Sequence, residues 1–175
     1  LPLAGVVYGP FTNKPGPLAT NGTALEFTAA TLADCSSYPP DTMGAVGPSQ
    51  FVVAVNGRIR SFNKNTGLAD GAVNAGTDAF FASVMTPTAV NFTSDPRIRY
   101  DRLTGRWFII MLDVPNGTGT TPDRIMFAVS DGPVISGSTV WTFFQFQHDQ
   151  PTPQNSSDTG NFADYPTLGV DANAL

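Results

Sequence analysis

Apolar and polar positions alternate over much of the chain, and no amphipathic helix of useful length can be traced. "QFVVAVN" (Gln50–Asn56) is β-branched and apolar. It ends at Asn56-Gly57, the dipeptide that most favours a two-residue hairpin, because both turn residues take positive φ. "RIRSFN" is the return strand, with Ile59 and Phe62 among polar neighbours. Four more strands are predicted between Asp95 and Gln147: "PRIRYD", "RWFIIML", "RIMFAVS" and "VWTFFQFQ", joined by "RLTG", "PNGTGTTPD" and "DGPVISGST". Four antiparallel strands in about fifty residues make a propeller blade or a comparable meander. "PRIRYD" alternates, as an innermost strand beside a watery channel should. "WFIIML" does not, as expected of a strand covered on both faces. "DAFFASVM" predicts a short helical turn and "ALEFTAATL" one strand. The class is all-β.

A carboxylate precedes an apolar run three times: Asp41 in "PPDTMG", Asp95 in "TSDPRIRYD" and Asp164 in "FADYPTLGVD", spaced 54 and 69 residues apart. The loose repeat divides the chain into an arm (1–40), a blade (41–94), a second blade (95–163) and the start of a third (164–175). Inner-strand starts gather at one mouth of a propeller, so these three carboxylates are expected to converge. Three roles are open to them. They can cap their own turns by accepting backbone N–H groups. They can bind Ca²⁺, which takes several oxygen ligands. They can act as the acid and base of a glycosidase.

Composition narrows the choices. Only 13% of residues are charged, against 17 Gly and 15 Pro, which is a turn-rich chain. A net charge of −5 argues against nucleic acid. No apolar run is long enough to span a membrane. Cys35 is the only cysteine, which excludes an internal disulfide and a cysteine-based zinc site and suits a small, partly buried side chain. Sequons at Asn21, Asn91, Asn116 and Asn155, with few lysines, favour a secreted, extracellular protein.

Arg58 and Arg60, like Arg97 and Arg99, stand two apart on a strand, so each pair points one way. Arginines lining a channel suit a carboxylate sugar, and pairing with nearby acids is the plainer reading. His148 is the only histidine and sits in a polar loop with no G-x-S-x-G partner motif. Trp107 and Trp141 are expected at the interface between blades.

"PPDTMGAVGPSQFVVAVNGRIRSFNKNTG", "DPRIRYDRLTGRWFI" and "DYPTLGVDANAL" together resemble a family of large secreted bacterial proteins with a sialidase-like or BNR-like β-propeller. The resemblance runs from Pro39 to Leu175 and implies an incomplete propeller. "TLGVDANAL" is then a strand seeking a partner, either another polypeptide segment or an identical copy at an open sheet edge. Because no catalytic motif is complete, the chain is expected to be a structural, adhesive or glycan-binding module. A carbohydrate-active enzyme using the mouth carboxylates is the alternative.

Overall fold

The computed structural model describes residues 25–35, 38–85, 90–116, 123–148, 162–171 and 173. They form two four-stranded antiparallel sheets, each an uncrossed meander. The first holds β1 (Met43–Val46), β2 (Gln50–Val55), β3 (Arg58–Asn63) and β4 (Ala69–Gly76). The second holds β5 (Asn91–Asp101), β6 (Arg106–Pro115), β7 (Arg124–Ser130) and β8 (Trp141–Gln147). A single helical turn, α1 (Thr77–Phe80), follows β4. The all-β, blade-like expectation holds, and so does the helical turn.

The sheets stack with β1 beside β5. Val52, Ala54 and Ile59 of the first sheet meet Ile98, Trp107, Ile109, Met111 and Met126 of the second, and all are buried. Alternation explains the sorting, because residues two apart on a strand share a face. β6 is buried on both sides: Trp107, Ile109 and Met111 enter this core, while Phe108 and Ile110 belong to a second cluster with Val129 and Leu168. That double coverage is why "WFIIML" has no alternation.

Polar contacts pin the sheets together. Gln50, 5% exposed, donates to the Ile135 carbonyl at 2.9 Å and accepts from the Ile135 amide at 2.7 Å. Within the second sheet, the Trp107 indole N–H donates to the Pro133 carbonyl, in the connection between β7 and β8, at 3.0 Å. Gly47 lies against the same ring, where a Cβ would come within 2.4 Å of an indole carbon.

Three expectations are corrected. Residues 25–31 form no strand. Phe27 instead packs on Phe51 and Phe62, and a short 3-10 turn at Leu32–Asp34 follows. The segment covers the outward face of β2 and β3 without joining the sheet edge. The second sheet begins at Asn91, ahead of the Asp95 boundary, because β5 runs through a bulge between Ser94 and Arg97. Residues 162–171 form no strand, although Leu168 and Val170 pack on the second sheet.

Candidate functional site

The three repeat starts do converge. Asp41, Asp95 and Asp164 line one cleft of about 400 Å³, together with Tyr38, Asn56, Phe92, Ser94, Phe162 and Tyr165. Asn56 is its hub. This residue is 2% exposed and closes the β2–β3 hairpin. Its side-chain amide donates to Asp41 Oδ2 at 2.7 Å and to the Pro39 carbonyl at 3.0 Å. Its Oδ1 accepts from the Asp95 amide at 2.9 Å, which ties the first sheet to the second. Asp95 in turn accepts from the Tyr165 amide at 3.3 Å and from the Ser94 hydroxyl at 3.0 Å.

Backbone conformation marks the same positions. The only described non-glycine residues with positive φ are Asp41 (46°), Asp95 (56°) and Tyr165 (54°). Aspartate tolerates the left-handed region, whereas a bulky ring does not enter it unforced. Tyr165, not Asp164, is therefore the counterpart of Asp95. Both precede proline, and both amides are tied to the preceding repeat. Asp164 still reaches the cleft, one position earlier. It is exposed and has no hydrogen-bond or ion-pair partner among the described residues.

Asp41 and Asp95 thus tie separate chain segments together, through the Asn56 side chain and the Tyr165 amide, rather than capping their own turns as the turn-capping reading expects. Among the described residues no group of three or more His, Cys, Asp or Glu is arranged to hold a metal ion. The aspartates share the cleft without forming a set of calcium ligands.

The arginines do not share one site. Arg60 pairs with Asp34 at 2.6 Å on the outward face of the first sheet. Arg97, 4% exposed, lies with its guanidinium carbon 4.0 Å from the Tyr165 ring centroid and donates to its neighbour's carbonyl, Pro96 O, at 2.7 Å. Arg99 is exposed. Among the described residues, no Lys, Arg or His lines the cleft.

His148 sits half-buried at the end of β8, with Nδ1 3.7 Å from Asp123 Oδ2. Trp107 is fully buried between the sheets, and Trp141 packs edge-on against Phe80. Cys35 is half-buried. Of the sequons, Asn91 is 5% exposed and its side-chain nitrogen donates to Asp113 at 2.8 Å, so the folded chain does not present it to a glycosylating enzyme. Asn116 is exposed, and Asn21 and Asn155 lie outside the described residues.

Asn56, Tyr38, Phe162 and Tyr165 are the site residues that the sequence reading missed. A signal for the first was present: "VNG" at 55–57 recurs as "PNG" at 115–117, and the Asn56 and Asn116 amides donate to the Pro40 and Val90 carbonyls just ahead of each inner strand. Comparisons with protein-family models, curated proteins and solved structures yield no match.

Proposed function

We propose that this chain is a secreted, extracellular blade module that binds glycans in the cleft at the head of its inner strands. The observation that carries the reading is the lining of that cleft, which combines four aromatic rings with three carboxylates. Aromatic faces cover the apolar faces of sugar rings, and carboxylates accept hydrogen bonds from hydroxyls. Tyr38 is 85% exposed and Tyr165 54% exposed; the Arg97 guanidinium lies over one face of the Tyr165 ring, which leaves the rest of that ring and the Tyr38 ring to a ligand. The described lining holds three carboxylates and no Lys, Arg or His, so the cleft favours neutral or amino-bearing sugars over acidic ones. This departs from a sialidase-like site, which needs arginines.

Glycan hydrolysis is the alternative. It requires two carboxylates about 5–10 Å apart with freedom to act as acid and as base or nucleophile. Asp41 and Asp95 are engaged in bonds that hold the chain, which supports binding over catalysis.

Isothermal titration with neutral, amino-bearing and acidic oligosaccharides tests the reading. Neutral or amino-bearing sugars should bind and acidic ones should not. Tyr165→Asn keeps a residue that accepts positive φ but removes the ring, and should weaken binding at least about tenfold, the order of a lost aromatic contact. Binding by none of the three classes would remove the glycan reading. Release of shorter sugars on incubation would favour the enzyme.

A further inference from the structure

The foot of β5 carries charge of the opposite sign from its head. Val46, Gly47, Pro48 and Lys64, from the first sheet and its turns, meet Tyr100 and Arg102 of the second around a pocket of about 350 Å³. That volume is in the range of small-ligand sites. Asp95 and the cleft lie at the other end of the same strand. Both charged side chains in the pocket lining are cations, although the chain carries a net charge of −5.

The hydrogen-bond donors of this lining are mostly unspent. The Lys64 ammonium donates to the Gly47 carbonyl at 3.2 Å, which fixes it at the wall and leaves its other N–H groups over. Among the described residues, the Arg102 side chain has no hydrogen bond or ion pair, and the Tyr100 hydroxyl has no hydrogen bond. The acids at this end are engaged elsewhere. Asp101 is buried and accepts from the amides of Leu103 at 2.9 Å and Thr104 at 3.0 Å, and from the Thr104 hydroxyl at 2.5 Å. Asp70 accepts from the Gln50 side chain at 2.6 Å and the Ala72 amide at 3.0 Å. Two cations without a carboxylate, beside a hydroxyl without a partner, are the parts of an anion site.

The rest of the lining selects what the anion is attached to. Val46, 55% exposed, and Pro48, also exposed, present apolar surface. The Tyr100 ring is held by Trp107, with centroids 5.0 Å apart. No lining side chain is a carboxylate or an amide, so the hydroxyls of a sugar acid would find few acceptors. We propose that this pocket binds an organic acid with an apolar body. The carboxylate sits on Lys64, Arg102 and the Tyr100 hydroxyl, and the body rests on Val46 and Pro48. A guanidinium grips a carboxylate through two parallel N–H···O bonds, and the ammonium adds a point charge. The site is independent of the glycan cleft, whose lining has the opposite charge.

NMR titration of the whole chain with benzoate tests the proposal. The amides of Gly47, Lys64 and Arg102 should shift along one saturation curve. Benzyl alcohol, which has the ring without the charge, should not shift them. Acetate and glucuronate, which have the charge without the apolar body, should bind at least about tenfold more weakly. Arg102→Gln and Lys64→Gln should each weaken benzoate at least about tenfold, the order of a lost charge-assisted hydrogen bond. Arg106→Gln removes an exposed cation outside the lining and should leave the affinity unchanged. Benzoate that moves none of these amides overturns the proposal. So does an Arg106→Gln effect as large as that of Arg102→Gln, because the attraction is then diffuse surface charge. Acetate or sulfate binding as tightly as benzoate also overturns it, because the apolar body then contributes nothing.

Discussion

Gly47 and Trp107 show how closely the two sheets rely on single atoms. The indole is fully buried, and a methyl at position 47 would overlap it. Gly47→Ala should cost about 1–3 kcal/mol in urea unfolding, the usual range for overpacking. Trp107→Ala should cost about 3–5 kcal/mol. Acid sensitivity also resides in single residues. The Thr104 hydroxyl and the Leu103 and Thr104 amides hold the Asp101 carboxyl below its ordinary value. The Thr31 amide, then the Thr31 hydroxyl and Arg60, do the same for Asp34. Burial pulls Asp70 upward, but hydrogen bonds from Ser61, Gln50 and the Ala72 amide together outweigh it and leave it lowered. A carboxyl whose pKa is lower when folded stabilises the protein above its unfolded pKa and loses that contribution as the pH falls through the folded value. Tm should therefore hold from neutral pH to about 4 and fall below it. Asp101→Asn should lower the neutral plateau and flatten the acid decline. A Tm that rises on acidification contradicts this assignment. The convergence of Asp41, Asp95 and Asp164 was legible in the sequence because each stands just ahead of an apolar run. The one-residue shift at Tyr165 was not, because tyrosine at positive φ is opposed by its own sterics and only the fold enforces it.

Strands rich in Val, Ile and Phe were legible; strands poor in them were not. The reading from Asp95 to Gln147 gave all four strands of the second sheet in their order, since each is an apolar run bounded by a turn. β4, "ADGAVNAG", buries only Val73 and lies at the outer edge of its sheet, so its residues carry little strand preference. β1, "MGAV", is just four residues long and half glycine and alanine. In both, pairing with a stronger neighbour creates the strand. "ALEFTAATL" failed in the opposite direction: it has strand composition, but Phe27 is anchored edge-on against Phe51 and tilted against Phe62. Between sheets, Gln50 does what apolar packing cannot by matching both polar groups of Ile135. Gln50→Leu leaves that amide and carbonyl without their partner and should cost about 2–3 kcal/mol by urea unfolding, within the range for unsatisfied buried groups. A loss below about 0.5 kcal/mol would show that the bridge contributes little.

Assembled, the molecule concentrates its unusual features at one end. Positive φ at three repeat starts, a buried asparagine bonded to two of them and a row of exposed rings all meet there. Backbone strain of this kind persists where surrounding structure over-determines it, and such places are often ligand sites. The cleft was only half legible in the sequence. Repetition located its aspartates and also carries Phe162, since "NFTSDP" at 91–96 recurs as "NFADYP" at 161–166, whereas Tyr38 stands ahead of the first repeat. Chemical-shift mapping by NMR, during titration with a neutral oligosaccharide, tests the account most directly. The amides of Asp41, Asn56, Asp95 and Tyr165 should shift together with one saturation curve, and Tyr165→Asn should weaken that curve at least about tenfold. Shifts confined to other surfaces, or a Tyr165→Asn chain that binds as the original does, would contradict a ligand site at the head of the inner strands.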